Sequence, residues 1–353
     1  MAAATISPIL PERVLIATLP PTPIELRAVT HSYGERKALD ALSFTVEPRE
    51  IFGLLGPNGS GKTTLFRILS TLMVSSGGHA RIAGYDVASQ AREVRARIGV
   101  VFQARSIDLK LTVQENLMHQ GHLYGLRGKA LGRRIDEVLD RVLLRDRAKD
   151  FVETLSGGMQ RRVELAKGLI HSPSILLLDE PSTGLDPGAR RDLWQYLRTL
   201  RDEDGVSVLV TTHLMEEAGH CDRLAILNAG KLVALGHPAE LKESIGGDIV
   251  TLDTHSTAEA ESLAVHLAAR FGVAPTVMGT SLRLEHEGGH RFVTEAIEAF
   301  PGTIHGIRVQ KPSLEDVFLQ RTGHRFWQET GAEAEPDAHT RETESHEGFN
   351  DPL

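Results

Sequence analysis

The sequence predicts an α/β protein: a parallel sheet with helices on both faces, followed by a smaller α+β unit of ferredoxin-like layout. Three observations carry this. Short continuous apolar runs at Ile51–Leu55, 175–178 and 206–210 alternate with helical patterns, as strands buried on both faces of a parallel sheet do. The first run passes directly into a glycine-rich turn and a helix bearing Thr64, Leu65, Ile68 and Leu69. After Gly236-His237-Pro238 the rhythm changes to strand, helix, strand, strand, helix, strand.

Taken in order, residues 1–22 read as a flexible lead-in, because Pro8, Pro11, Glu12, Arg13 and Pro20 break any signal-peptide core. Residues 24–46 read as strand, turn, strand, with Gly34 at the turn, an antiparallel flap. Between about 103 and 170 the pattern is mainly helical, with amphipathic stretches at 113–124, 131–143 and 158–171, a helical subdomain inserted into the first domain of 23–240. The second domain, 241–325, has strands at 249–254, 273–278, 281–287 and 303–310 and helices at 257–271 and 289–300, with Gly279-Thr280 as a tight turn. Its histidines, among them His255, His266, His286, His290 and His305, have no ligand spacing, so a regulatory or dimer-stabilising role is expected there, or plain packing.

Composition narrows the function. A chain of 353 residues with 41% hydrophobic and 24% charged residues is an ordinary globular protein, and only 5% aromatics argues against a nucleic-acid stacking surface. The formal charge of -8 is mostly in the tail: from Glu329 onward eight acids face one base, so residues 326–353 read as disordered and acidic. No apolar run approaches the ~20 residues of a membrane helix, so any membrane work falls to another chain. Cys221 is the single cysteine, which precludes an intrachain disulfide and suits a reducing compartment.

Gly56-Pro57-Asn58-Gly59-Ser60-Gly61-Lys62-Thr63 has P-loop spacing between an apolar strand and a helix. Glycines let successive backbone N–H groups wrap phosphates, and the helix end adds a positive dipole. Lys62 is expected at the β- and γ-phosphates of ATP, Thr63 on Mg²⁺ and Thr64 near the α-phosphate. The run 175–178 ends in Asp179 and Glu180 at the edge of the sheet where ligands bind. Alone, that pair could cap a strand; after a P-loop, Asp179 is expected to hold Mg²⁺ and Glu180 to orient or deprotonate the attacking water.

Leu155-Ser156-Gly157-Gly158-Met159-Gln160 resembles the signature motif of the ABC transporter ATP-binding proteins. Read without the family, the same residues are an N-cap before an amphipathic helix. The resemblance covers about 24–240 and implies a P-loop NTPase fold with a RecA-like core, an antiparallel β flap and a helical subdomain. It further implies that Ser156, Gly157, Gly158 and Gln160 meet the ATP held by a second copy, so that a homodimer encloses two nucleotides. By the same resemblance Tyr33 stacks on adenine, Gln103 contacts Mg²⁺ and the attacking water, Asp186 links the two sites, and His213 is a switch near the γ-phosphate.

The text after Gln103, with Leu111-Thr112-Val113-Gln114-Glu115-Asn116-Leu117, and the ending Lys311-Pro312-Ser313-Leu314-Glu315-Asp316-Val317-Phe318 look like the daunorubicin-resistance exporter group. That likeness implies a partner permease of ABC-2 type, a peripheral position on the cytoplasmic face of the membrane, and a drug-like or hydrophobic cargo. An importer subunit or a cytosolic ABC ATPase that moves no cargo are the alternatives; the single cassette and the lack of a heptad run weigh against the latter.

Overall fold

Alternating apolar positions from Ile24 onward form a hairpin, β1 (Ile24–Tyr33) and β2 (Arg36–Val46), turning at Gly34 with φ 58°. The computed structural model describes residues 22–324 and 326, so the expected lead-in and nearly all of the acidic tail lie outside the described residues. Every residue of β3 (Ile51–Leu55) is buried, and the loop after it opens α1 (Lys62–Leu69). Next come β4 (Gly77–Ile82) and β5 (Tyr85–Asp86), which complete an antiparallel flap in the order β2-β1-β4-β5. Their short, glycine- and polar-rich text gives no strand signal in the sequence. Then α2 (Ala91–Arg95) leads to β6 (Ile98–Val101).

The helical insertion contains α3 (Val113–Leu123), α4 (Gly128–Arg141) and α5 (Gly157–Leu169). A capping box starts α3: the Thr112 hydroxyl accepts from Glu115 N, while the Glu115 carboxylate accepts from Thr112 N at 2.8 Å. Leu131, Ile135, Val138 and Leu139 give α4 one apolar face, buried against Val113, Leu117 and Val163.

The chain re-enters the central sheet with β7 (Ile175–Asp179), followed by α6 (Pro187–Asp202), β8 (Ser207–Thr212), the short α7 (Met215–Ala218), β9 (Arg223–Asn228) and β10 (Lys231–Gly236). The order is β10-β9-β3-β8-β7-β6; β9, β3, β8, β7 and β6 are parallel and β10 pairs antiparallel at one edge. Apolar layers line both faces, Leu54, Leu65 and Leu209 on one and Leu176, Leu178 and Val208 on the other.

After α8 (Pro238–Glu243) the expected rhythm follows: β11 (Asp248–Asp253), α9 (Thr257–Phe271), β12 (Thr276–Met278), β13 (Ser281–His286), α10 (Gly289–Ala299) and β14 (Gly306–Gln310). The sheet order β12-β13-β11-β14, with every neighbouring pair antiparallel, is the split β-α-β arrangement of a ferredoxin-like unit. A last helix, α11 (Leu314–Thr322), lies against the other face of that sheet and returns to the first domain. Its Leu314, Val317 and Phe318 share one buried cluster with Leu55, Leu224 and Ile226 of β3 and β9 and Ile249 of β11. The topology thus changes near residue 240, while the apolar seam runs across that change.

Candidate active site

Four neighbouring parallel strands, β3, β8, β7 and β6, end at one edge of the central sheet. They lead respectively into the 56–63 loop, His213, Asp179-Glu180 and Gln103. Pairing of Leu55 with Thr212 and of Asp179 with Thr211 keeps those ends level.

Loop geometry comes first. Gly61 caps α1 with φ 103°, and a Cβ there would stand 2.6 Å from the Ala38 carbonyl oxygen of the flap, so only glycine fits. No side chain blocks the first amides of α1, which remain available to an anion. Asn58, Gly59 and Thr63 are exposed, Pro57 and Thr64 half-buried, and Gly56 and Ser60 buried. Lys62 is buried; its ammonium donates to the carbonyls of Gly56 at 2.7 Å and Pro57 at 3.0 Å. Burial pulls its pKa below the usual lysine range, opposed by the charges of Glu180 and Asp179.

Beside the lysine sit the two acids. Asp179 is buried and accepts from the Thr211 hydroxyl at 2.5 Å; burial, opposed by the Thr211 bond and reinforced by the neighbouring Glu180 charge, leaves its carboxyl above the usual range. Glu180 has φ 44°, a left-handed conformation that costs a non-glycine residue about 1–3 kcal/mol. Its backbone N–H donates to the Thr211 hydroxyl at 3.0 Å, which holds the bend. The bend turns the carboxylate between Gln103, whose Nε2 donates to it at 3.2 Å, and His213, whose Nδ1 lies 3.1 Å away. Gln103, Glu180, His213, Asp179 and Lys62 therefore form one group.

Tyr33 ends β1 at the flap edge, 46% exposed, opposite Arg36 in the ladder. Arg36 in turn reaches the loop, its Nη2 3.5 Å from where a Gly59 Cβ would be, so the strand turn that carries Tyr33 touches the phosphate loop through Arg36.

The signature residues stand elsewhere. Ser156 caps α5 by accepting from Met159 N at 3.3 Å, Ser156 and Gly157 are exposed, and the first turn carries no acid. A Cβ on Gly158 would stand 3.0 Å from Ala189 Cβ, so this helix end abuts the start of α6. It is a second open, positive helix end, outside the Lys62–Glu180 group. Asp186 is the N-cap of α6, accepting from Gly188 N at 2.8 Å and Ala189 N at 2.9 Å, bonds that hold its carboxyl below the usual range. Gln160 departs from expectation: its side chain is buried and donates to the carbonyls of Val152 and Leu155, both at 3.1 Å. It braces the turn before Ser156 from inside and does not face a nucleotide.

Several residues of this site escape motif reading. Thr211 holds both Asp179 and the Glu180 amide. Glu217, almost wholly buried on α7, accepts from Thr212 at 2.7 Å and from Ser182, tying the strand end before His213 to the segment after Glu180. Arg161 and Glu164 pair on the inner face of α5 at 2.9 Å. The available signal is the charge itself, since an acid on a helix face otherwise apolar is paired when buried.

A family model described as ABC transporter matches residues 39–183. A daunorubicin resistance ATP-binding protein of Streptomyces coeruleorubidus is 39% identical over 86% of this chain and 95% of its own length. The Nod factor export ATP-binding protein I of Rhizobium meliloti (strain 1021) is 38% identical over 87% of this chain and 90% of its own. Among solved structures, a dimeric post-hydrolysis state of an ATP-binding cassette bound to ADP and Pi is 30% identical, covering 61% of this chain and 98% of that one, with a TM-score of 0.55. The span matched by the family model contains the phosphate loop, the Ser156 turn and the acid pair. On sequence and fold together, the chain belongs to the ABC transporter ATP-binding family and is an ATPase.

Proposed function

We propose that this protein powers export of a drug-like or hydrophobic cargo through a separate permease of ABC-2 type, bound at the cytoplasmic face of the membrane. The observation that carries the ATP-driven part is the Gln103–Glu180–His213 group beside Lys62, set apart from the open Ser156 helix end. Export is supported by the names of the relatives, which are drug-resistance and Nod factor export proteins. Among the described residues no helix is long and apolar enough to cross a membrane, which fits a partner chain doing so.

In this reading the loop amides of 56–63 and the Lys62 ammonium bind the β- and γ-phosphates, and Tyr33 stacks on the adenine. Glu180 takes the water's proton, Gln103 orients that water, and His213 stabilises the γ-phosphate as charge builds on it. Thr63, Asp179 and Gln103 suit Mg²⁺: the set offers two neutral oxygens and a buried carboxylate whose proton affinity is raised by burial, and a hard cation relieves that cost. Bound there, Mg²⁺ would neutralise charge on the phosphates. Ser156, Gly157 and Gly158 of a second copy close each site, and Asp186 stands between the two.

The test is Glu180→Gln in the full chain. With ATP and Mg²⁺ the variant should bind nucleotide without turnover and elute as a dimer, while wild-type protein hydrolyses and stays mainly monomeric. Unchanged hydrolysis would remove Glu180 from its role. Purifying the trapped form from detergent-solubilised membranes addresses the partner: a polytopic permease supports export, and its absence moves the ATPase off the membrane.

A further inference from the structure

Two of the catalytic side chains, Gln103 and Glu180, are held through their backbones by one residue of the signature helix. Arg161 lies five residues after the Ser156 cap, about 7.5 Å along α5. Its guanidinium is nearly buried and reaches three carbonyls: Phe102 at 2.9 Å, Pro181 at 2.7 Å and, more loosely, Asp179 at 3.4 Å. The first carbonyl belongs to the peptide entering Gln103, the second to the residue following Glu180, and the third to the peptide entering Glu180.

The planar fork is itself fixed. Glu164, one turn further along α5, binds Arg161 at 2.9 Å with one oxygen and takes Ser106 N at 2.7 Å with the other. Lys167 closes the same segment by donating to the Ser106 carbonyl. Residues 102–106 are thus tied to α5 at both ends, and the Gln103–Glu180 contact depends on where α5 sits.

We propose that Arg161 is a positioning residue that makes two events one: seating of a γ-phosphate on the Ser156 end of α5, and alignment of Gln103 with Glu180 in the same chain. This rests on the two-chain arrangement proposed above, in which that γ-phosphate belongs to the partner's nucleotide. A rigid helix carries the displacement, and a guanidinium suits the task because it spans several carbonyls in fixed geometry, which an ammonium on a single point cannot do.

The experiment compares full-length wild type, Arg161→Lys and Glu164→Gln, each also in the Glu180→Gln background. Arg161→Lys keeps the charge that Glu164 needs. It should bind ATP within twofold of wild type and still form the ATP-trapped dimer, yet lose at least tenfold in kcat at unchanged KM. Glu164→Gln should lose several-fold in kcat, and the double variant should be no worse than Arg161→Lys alone, because the two act as one unit. Undiminished kcat in Arg161→Lys overturns the proposal. So does a loss of kcat matched by equal losses in ATP affinity and melting temperature, the mark of a merely structural ion pair. If Arg161→Lys does not fold, Glu164→Gln decides by the same criteria. Failure of Glu180→Gln alone to dimerise with ATP is a different outcome: it overturns the two-chain reading with Arg161 intact.

Discussion

At the edge of the central sheet, the buried polar groups Lys62, Asp179, Thr211, Thr212 and Glu217 bond to one another or to the phosphate loop and the loops bearing Glu180 and His213. In the C-terminal unit, the buried Asp248, Thr254 and Asp316 each meet a separate local need. Asp248 accepts from Gly289 N and pairs with Lys311, Thr254 donates to the Thr280 carbonyl, and Asp316 completes the cap of α11 and pairs with Arg283. Burying a polar group costs about the same in either place. What differs is convergence, and convergence marks where the chemistry lies. The C-terminal histidines do not change this: His255 and His305 touch, but among the described residues no group of three or more ligating side chains could hold a metal.

The comparison is broken most sharply at Lys62. Lys62→Ala should lower ATP turnover by about a hundredfold or more with little loss of fold, since its partners are loop carbonyls that water can serve; steady-state hydrolysis with a circular dichroism melt checks both halves. The converse lies in the C-terminal core. Phe292→Ala, at 1% exposure, should cost about 4 kcal/mol in urea unfolding while leaving kcat within twofold.

A smaller effect distinguishes the helical subdomain. His171 donates from Nε2 to the Ile98 carbonyl at 2.9 Å and stacks on Tyr124 at 3.7 Å, and burial, chiefly, holds its pKa down at about 4. The unfolded chain takes up a proton near pH 6.5 and the fold does not until about pH 4, so this contribution is whole above 6.5 and is lost as pH falls. Between pH 7 and pH 5 the loss is about 2 kcal/mol, and His171→Leu should remove that part of the slope in paired denaturation curves. The smallest effect is at Gly53, where an added Cβ would meet Cys221 Sγ at 2.7 Å. Gly53→Ala should cost about 1 kcal/mol, and Cys221→Ala should restore most of it, read as a shift in melting temperature.

Residues 56–63, 156–158 and 179–180 were legible because each works as a contiguous stretch whose spacing alone sets its geometry. The helices α3, α5, α9 and α10 were legible from their apolar faces, and the ferredoxin-like order from strand and helix alternation. Much of the bracing was not. Arg161 reaches Phe102 across 59 positions and Thr211 reaches Asp179 across 32, and a single sequence gives no account of such pairs. Gln160 was misassigned for a related reason: it adjoins the open helix end, but the helical turn points its side chain inward. The strands β4 and β5 were missed because the flap pairs them by backbone bonds that their residue types do not announce.

The apolar seam made by α11 decides where this chain can be cut. A fragment ending near residue 240, where the topology changes, would hold the whole phosphate loop and every residue of the Glu180 group. It would also bare Leu55, Leu224 and Ile226, all at 0% exposure in the intact protein, as a greasy strip directly behind the loop. Such a fragment is expected to aggregate through that strip, and comparing its solution size with that of a fragment extended past Phe318 checks it.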